Sequence, residues 1–259
     1  MKILAILGSS RKKGDSYKAM EIVREHLEAK GDVEIEYIFM TDSNINICKG
    51  CQSCLKLGRE KCPYNDDDVE RIRTKIEKSD ALIMITSVYS SQVASKLKIF
   101  IDRLSYMYHR PMFFKKDALA IAVGGGISKQ TLDYMEEILG VWGFYSIFKV
   151  AIEEFYSTSE KRKEYNIGRL IKESDNFYYN IKKKKSYEPN LSRLINFNIW
   201  KNVVYNRKGF SFDRIYWKEN GWDKSEYYYD TGINPLNRFI MGIVKPILSN
   251  AIKSRYIKD

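Results

Sequence analysis

The segment CKGCQSCLKLGREKC, residues 48–62, contains all four cysteines of the chain. Cys48, Cys51 and Cys54 follow one another at CxxC intervals, Cys62 comes after seven further residues, and Pro63 follows it directly. Three chemistries suit thiols in this pattern. Structural zinc takes four thiolates, usually as two separated pairs rather than three consecutive steps. A thiol–disulfide relay needs one CxxC, so four cysteines overshoot it. A [4Fe–4S] cluster needs four thiolates, and the ferredoxin run C-x2-C-x2-C-x3-C-P shares the early spacings and the trailing proline, though not the last gap. From spacing alone all three stay open.

A second constellation lies near the start. GSSRKKGDSYKAM, residues 8–20, follows an apolar run and opens a helical pattern. Backbone N–H groups at a helix N-terminus favour an anion such as phosphate. Ser9, Ser10 and Ser16 add hydroxyls and Arg11 adds a charged fork. The loop is neither G-x-G-x-x-G nor GxxxxGK[ST], which excludes the common dinucleotide and P-loop signatures. The plainer alternative is a strand–helix turn in which Asp15 or Ser16 only caps the helix.

These residues need elements to hold them. Strands are expected at 2–7, 33–39, 81–86, 118–126 and 145–152, and helices at 16–30, 66–80, 92–106, 129–142 and 159–183. The run 81–86 is uninterruptedly apolar, as in a strand buried on both faces. Strands alternating with helices make a parallel sheet with right-handed crossovers. Ligands bind such sheets outside the carboxyl ends of the strands, where the loops 8–17, 86–91 and 124–130 gather. The cysteines lie in a connection of about 26 residues, 40–65, too long for mere linkage.

GSSRKKGDS is similar to the G-S-x-R-x-x-G-N-[ST] loop of the NAD(P)H-dependent FMN reductase and multimeric flavodoxin families. TSVYSSQVASKLKIFIDR (86–103) resembles their S-P-V-Y-x-G-x-x-S-x-x-L-K-x-F-I-D-R segment, matching at Val88, Tyr89, Leu97, Lys98, Phe100, Ile101, Asp102 and Arg103. Gly124, Gly125 and Gly126 fall where those families have a third flavin loop, and the cysteines ahead of Asp67 and Asp68 resemble the iron–sulfur flavoprotein branch, which allows the long last gap. The resemblance covers about residues 1–180. It implies an α/β, flavodoxin-like fold with a five-stranded parallel sheet of order 2-1-3-4-5 and helices on both faces. It further implies bound FMN, with Ser9, Arg11, Asp15, Ser16 and Tyr17 at the phosphate end, and with Thr86, Ser87, Val88, Tyr89, Ser90, Ser91 and the three glycines around the ring. A [4Fe–4S] cluster on Cys48, Cys51, Cys54 and Cys62 is implied as well.

The implied activity moves electrons between NAD(P)H or a ferredoxin and a small acceptor such as a quinone; a pure electron carrier is the alternative. Chemistry centred on the flavin needs no catalytic acid–base residue. Four departures stand out. Ser87 replaces a proline and Ser90 an aromatic. Ser91 replaces a glycine and is strained if its φ is positive. Asp15 replaces an asparagine and repels phosphate unless its carboxylate turns away. Beyond the third helix, Arg110 is placed to meet the 2′-phosphate of NADPH or to bond a helix end, and His109 reads as a surface residue.

The composition frames the rest. Lys and Arg number 44 against 33 Asp and Glu in 259 residues, a net charge of +11. Such charge suits phosphorylated ligands, acidic surfaces or simple solvation, and no nucleic-acid motif accompanies it. No transmembrane segment is expected, and MKILAILGSSRKK is charged too early for a signal peptide, so a cytoplasmic protein is expected. KKKK at 182–185 and Pro189 mark a boundary between a flavodoxin-like domain, 1–185, and an extension, 186–259. The extension is aromatic-rich and mainly helical. Its stripe of Leu236, Phe239, Ile240, Ile243, Ile247 and Leu248 has helical spacing, with Pro246 inside. Such a stripe can dock on the main domain, pair subunits or touch a membrane; a homodimer or homotetramer is expected. The extension is expected to serve oligomerisation or to cover the active site.

Overall fold

The computed structural model describes residues 1–126 and 128–256. Residue 127, within the loop 124–130, lies outside the described residues. In chain order the elements are β1 (Lys2–Leu7), α1 (Asp15–Glu28), β2 (Glu34–Phe39), α2 (Ser53–Lys56), α3 (Val69–Lys78), β3 (Ala81–Tyr89), β4 (Gln92–Val93), α4 (Ser95–Arg103), β5 (Asp117–Val123), α5 (Lys129–Val141), β6 (Ser146–Ile152), α6 (Glu160–Lys182), α7 (Leu191–Asn206), α8 (Ser211–Glu219) and α9 (Pro235–Lys253). They divide between two compact units. The first holds Met1–Lys49, Asp66–Met107 and Pro111–Lys183; the second holds Gly50–Asn65, Tyr108–Arg110 and the residues from Lys184 onward.

The first unit is built on a sheet of order β2-β1-β3-β5-β6, with all four of these pairings parallel. This is the 2-1-3-4-5 order expected, β4 being a short antiparallel addition to β3. The central strands are buried along nearly their whole length, which their unbroken apolar runs dictate. On one face Ile3, Ala5, Leu7, Ile83 and Ile85 meet Ala19, Met20, Val23 and Leu27 of α1 and Leu170 and Phe177 of α6. Alternation turns Leu4, Ile6, Leu82 and Met84 to the other face, where they are equally buried. Each such side chain contributes about 1.5–3 kcal/mol on leaving water.

Strand β3 runs three residues past the expected end at residue 86 and returns through β4, pairing Val88 with Val93 and Tyr89 with Gln92. The two-residue turn between them, Ser90 and Ser91, has φ of 48° and 61°. Positive φ at both central residues is the turn that matches strand twist in tight hairpins. The hairpin delays α4 to Ser95, later than sequence periodicity places it.

In the second unit α7 packs on α8 and α9. Phe197 stacks on Trp217 at 5.5 Å, and Trp222 and Tyr228 meet at 4.8 Å edge to face. The Trp222 indole N–H donates to the Tyr228 carbonyl at 2.8 Å, so its polar atom is satisfied inside the cluster. The tryptophans and tyrosines that set the extension apart in sequence are thus its core.

Candidate functional site

At the carboxyl ends of β1 and β3 three hydroxyls converge. Ser87 Oγ lies 2.9 Å from Ser9 Oγ and 2.9 Å from Ser16 Oγ. Ser9 and Ser16 are buried, whereas Ser87 is only half-buried. The site stands at the N-terminus of α1, whose cap, Gly14, is extended and donates its N–H to the Arg11 carbonyl at 3.2 Å. The Arg11 N–H points at Ser9 Oγ, 3.4 Å away, while its guanidinium-bearing side chain is exposed. Hydroxyls can rotate to donate or accept, so this trio beside the first amides of α1, those of Asp15 and Ser16, fits a phosphate.

Asp15 does not oppose that charge directly. Its carboxylate accepts the Phe155 N–H at 3.2 Å and pairs with Lys18 at 3.1 Å, so the side chain is occupied and partly neutralised. Tyr17 belongs with a different group: its ring packs on Tyr37 and Phe39, with centroids 6.4 and 6.1 Å away. Burial, followed by the nearby Glu21, holds its phenol above the ordinary range.

The second wall is the β3–β4 hairpin. Thr86 is buried and ties the hairpin down, donating to the Ser87 carbonyl at 2.9 Å and accepting the Ala94 N–H at 3.0 Å. Val88 rests on Gly124, where an added Cβ would lie 2.8 Å from the Val88 Cβ; only glycine fits that approach. Gly126 has φ +121° and open space around its Cα, so the loop turns there with its backbone uncovered. Beside this turn runs a cleft of about 470 Å³ that includes Lys129, Lys149, Arg162 and Arg169 against Asp133 and Glu153.

The cysteine segment is held at both ends. Within the first unit, the Asn44 N–H donates to Asp68 at 2.7 Å and the Asn46 N–H to Asp67 at 3.0 Å. Arg103 ion-pairs with Asp67 and donates to the Asn46 carbonyl at 3.1 Å. The residues just before Cys48 are thereby stitched to those just after Cys62. An Arg71 hydrogen bond, then the Asn44 amide, hold the Asp68 carboxyl below the usual carboxylate range.

Within the second unit, the segment is gripped by α8 and Arg110. Arg110 donates to the Cys54 carbonyl at 2.6 Å, and its Nε lies 2.9 Å from Asp213. His109 Nδ1 lies 2.7 Å from the other Asp213 oxygen. The Trp217 indole donates to the His109 carbonyl at 2.7 Å, and Ser211 donates to the Lys56 carbonyl at 2.9 Å. This corrects the expectation for His109 and chooses between the two for Arg110. His109 is buried, with its ring against Trp200 and Phe210. Arg110 is buried too, committed to Asp213 and Cys54 rather than open to a nucleotide phosphate. Nothing local in the sequence marks Asp213 as their partner, because it stands 104 residues from His109.

Cys48 belongs to the first unit, and Cys51, Cys54 and Cys62 to the second. Cys48 and Cys51 are exposed, Cys54 and Cys62 half-buried. Among the described residues no three Cys, His, Asp or Glu side chains gather closely enough to hold one metal ion.

The arrangement has known counterparts. Residues 1–156 match the family model for NADPH-dependent FMN reductase. An iron–sulfur flavoprotein of Archaeoglobus fulgidus is 30% identical over 228 residues, covering 86% of this chain and 100% of that protein. One from Clostridioides difficile is 29% identical over 199 residues, 76% of this chain and 86% of its own length. Among solved structures, an NADH:FMN oxidoreductase aligns with TM-score 0.54 at 20% identity, covering 72% of this chain and 92% of that one. An NAD(P)H:quinone oxidoreductase from Methanothermobacter marburgensis aligns with TM-score 0.54 at 19% identity, over 68% and 95% of the two chains. At those identities the structural likenesses speak for the fold. With the parallel sheet, the serine trio and the glycine turn in place, the matches show that this chain belongs to the NADPH-dependent FMN reductase family, in its iron–sulfur flavoprotein branch.

Proposed function

We propose that this protein is an NAD(P)H-dependent FMN oxidoreductase that passes electrons to a small acceptor such as a quinone. The observation that carries the reading is the convergence of Ser9, Ser16 and Ser87 at the N-terminus of α1. When bound, FMN supplies the redox chemistry; the protein binds, orients and shields. The three hydroxyls and the first amides of α1 take the phosphate, with Arg11 as an exposed cation beside them. The Thr86–Ser91 hairpin and the Gly124–Gly126 backbone form the slot for a flat ring, since Gly124 lets the two walls close to van der Waals contact. The cations of the neighbouring cleft outnumber its carboxylates, which suits the phosphates of a nicotinamide co-substrate.

The cysteine spacing and the branch to which the chain belongs support a [4Fe–4S] cluster on Cys48, Cys51, Cys54 and Cys62, with ferredoxin as a donor. Among the described residues no group of side chains is gathered to hold a metal ion, and no electron step is routed through the thiols. A visible spectrum with iron and sulfide assays on protein purified without oxygen separates the readings, followed by anaerobic titration with NADPH. Flavin absorbance that NADPH bleaches supports the oxidoreductase. Flavin that only reduced ferredoxin can bleach points to an electron carrier instead, and protein that takes up no FMN sinks both.

A further inference from the structure

The cleft beside the Gly124–Gly126 turn holds two groups whose hydrogen-bonding capacity the fold leaves open. Asn166 of α6 lines it, yet its side chain is completely buried, and neither its amide oxygen nor its nitrogen has a partner among the described residues. A buried amide with both functions idle is costly unless a bound molecule completes it. About one turn further along the same face stands Arg169, half-buried. Its Nη1 donates to the Ala151 carbonyl at 2.6 Å. The two carboxylates of the cleft are answered by other cations, Glu153 by Arg162 and Asp133 by Lys129 and Lys149. Arg169 is therefore the positive charge that the cleft offers to a ligand.

The pair sets two demands. Arg169 calls for an oxyanion, which a guanidinium takes through paired hydrogen bonds. Asn166 calls for a donor beside an acceptor, the pattern on the amino-bearing edge of adenine. An adenosine that carries a phosphate meets both, and a cleft of about 470 Å³ is of the size that encloses such a ligand. Gly124 and Gly126 line this cleft as well as the proposed flavin slot, so a nicotinamide over the flavin and an adenosine in the cleft can be two ends of one molecule. Arg110 is committed to Asp213 and Cys54, which leaves the 2′-phosphate to Arg169. The competing arrangement is an ordered water on Asn166, with Arg169 merely covering the edge of β6.

We propose that Asn166 and Arg169 read the adenosine 2′-phosphate end of NADPH, Asn166 on the base and Arg169 on the phosphate. The inference rests on the oxidoreductase reading above. The test is calorimetric titration of the FMN-loaded protein with 2′,5′-ADP and with 5′-AMP, which differ by the 2′-phosphate and carry no hydride. The wild type is expected to bind 2′,5′-ADP about tenfold tighter than 5′-AMP. Arg169→Ala is expected to erase that difference. Asn166→Leu is expected to weaken both nucleotides about fivefold. Leucine is close in volume and leaves no idle polar atom, so the Tm of this variant without nucleotide should match or exceed that of the wild type. Both variants should keep the wild-type Kd for FMN and show a raised KM for NADPH. Absence of 2′,5′-ADP binding to the wild type overturns the proposal, and so does binding that neither substitution alters. A lower Tm for Asn166→Leu with unchanged nucleotide binding assigns the amide to an ordered water and also overturns it. The underlying reading fails in a different way. Nucleotide that binds through these residues while NADPH leaves the flavin oxidised keeps the cleft assignment and removes the oxidoreductase. Flavin that NADPH bleaches with an unmoved KM in both variants keeps the oxidoreductase and removes the cleft assignment.

Discussion

The Arg103 guanidinium and the Asp67 carboxylate form an ion pair whose side chains are 5% and 2% exposed, closing the neck of the cysteine segment. Two charges so deeply buried sustain one another through their hydrogen bonds, Arg103 to the Asn46 carbonyl and Asp67 from the Asn46 and Val69 amides. Removing one partner strands the other without solvent. Arg103→Ala should therefore cost about 3–5 kcal/mol, measurable by urea denaturation. The thiols should also label faster with a maleimide under native conditions. Unchanged labelling in a destabilised but folded variant would show that the pair supports the sheet and not the neck.

Acid should loosen the same neck. The Asp68 carboxyl is held below its ordinary range by Arg71 and then by the Asn44 amide. A carboxyl depressed in the folded state contributes stability that is fully present above its unfolded pKa. That contribution is lost as pH falls through the lower, folded value. Exchange of the Asn44 amide, followed by NMR, should accelerate below the usual carboxylate range relative to core amides, and Asp68→Asn should remove the pH dependence. A pH profile identical in the variant would assign the acid response to other groups.

Ser87 is the hydroxyl that touches both other members of the trio. Hydrogen bonds to a charged partner contribute about 1.5–3 kcal/mol, so Ser87→Ala should raise the Kd for FMN by about tenfold or more. Flavin fluorescence quenching measures this directly. The mutant sheet should melt close to the wild type, because Ser87 is only half-buried at the strand end. An unaltered Kd would remove the trio from the phosphate site.

Ser91 holds a φ of 61° in the hairpin turn. Left-handed backbone costs a non-glycine residue roughly 1–2 kcal/mol, and the turn favours glycine at this position. Ser91→Gly should stabilise the protein by about 1 kcal/mol, read as a higher Tm with the hairpin retained. A drop in Tm would mean that the serine side chain makes a contact that offsets its strain.

Much of this protein is legible in the linear chain. The apolar runs at 2–7, 81–86 and 118–123 can only be strands buried on both faces, so the parallel sheet and its rim of loops follow from short-range pattern. The loop at 8–16 and the glycines at 124–126 single out the rim proposed here to bind FMN, since their residue types specify local backbone behaviour. The cysteine spacing likewise marks a segment with chemistry of its own. The hairpin turn was readable in part: a serine standing for glycine raised the question of φ, and the paired strands on either side answered it.

Tertiary structure decided everything that depends on partners far apart in sequence. Arg103 and Asp67 are 36 residues apart, and Asp213 lies 104 residues from the histidine it meets. No local pattern pairs such groups, because a buried charge is tolerated only where the whole fold delivers its counter-charge and excludes water. The same reason moved His109 from the surface to a buried place beside Asp213, and turned Arg110 to the Cys54 carbonyl. It also left the α9 stripe exposed: periodicity says that a helix has an apolar face, but only the packing of its neighbours says which apolar face remains uncovered.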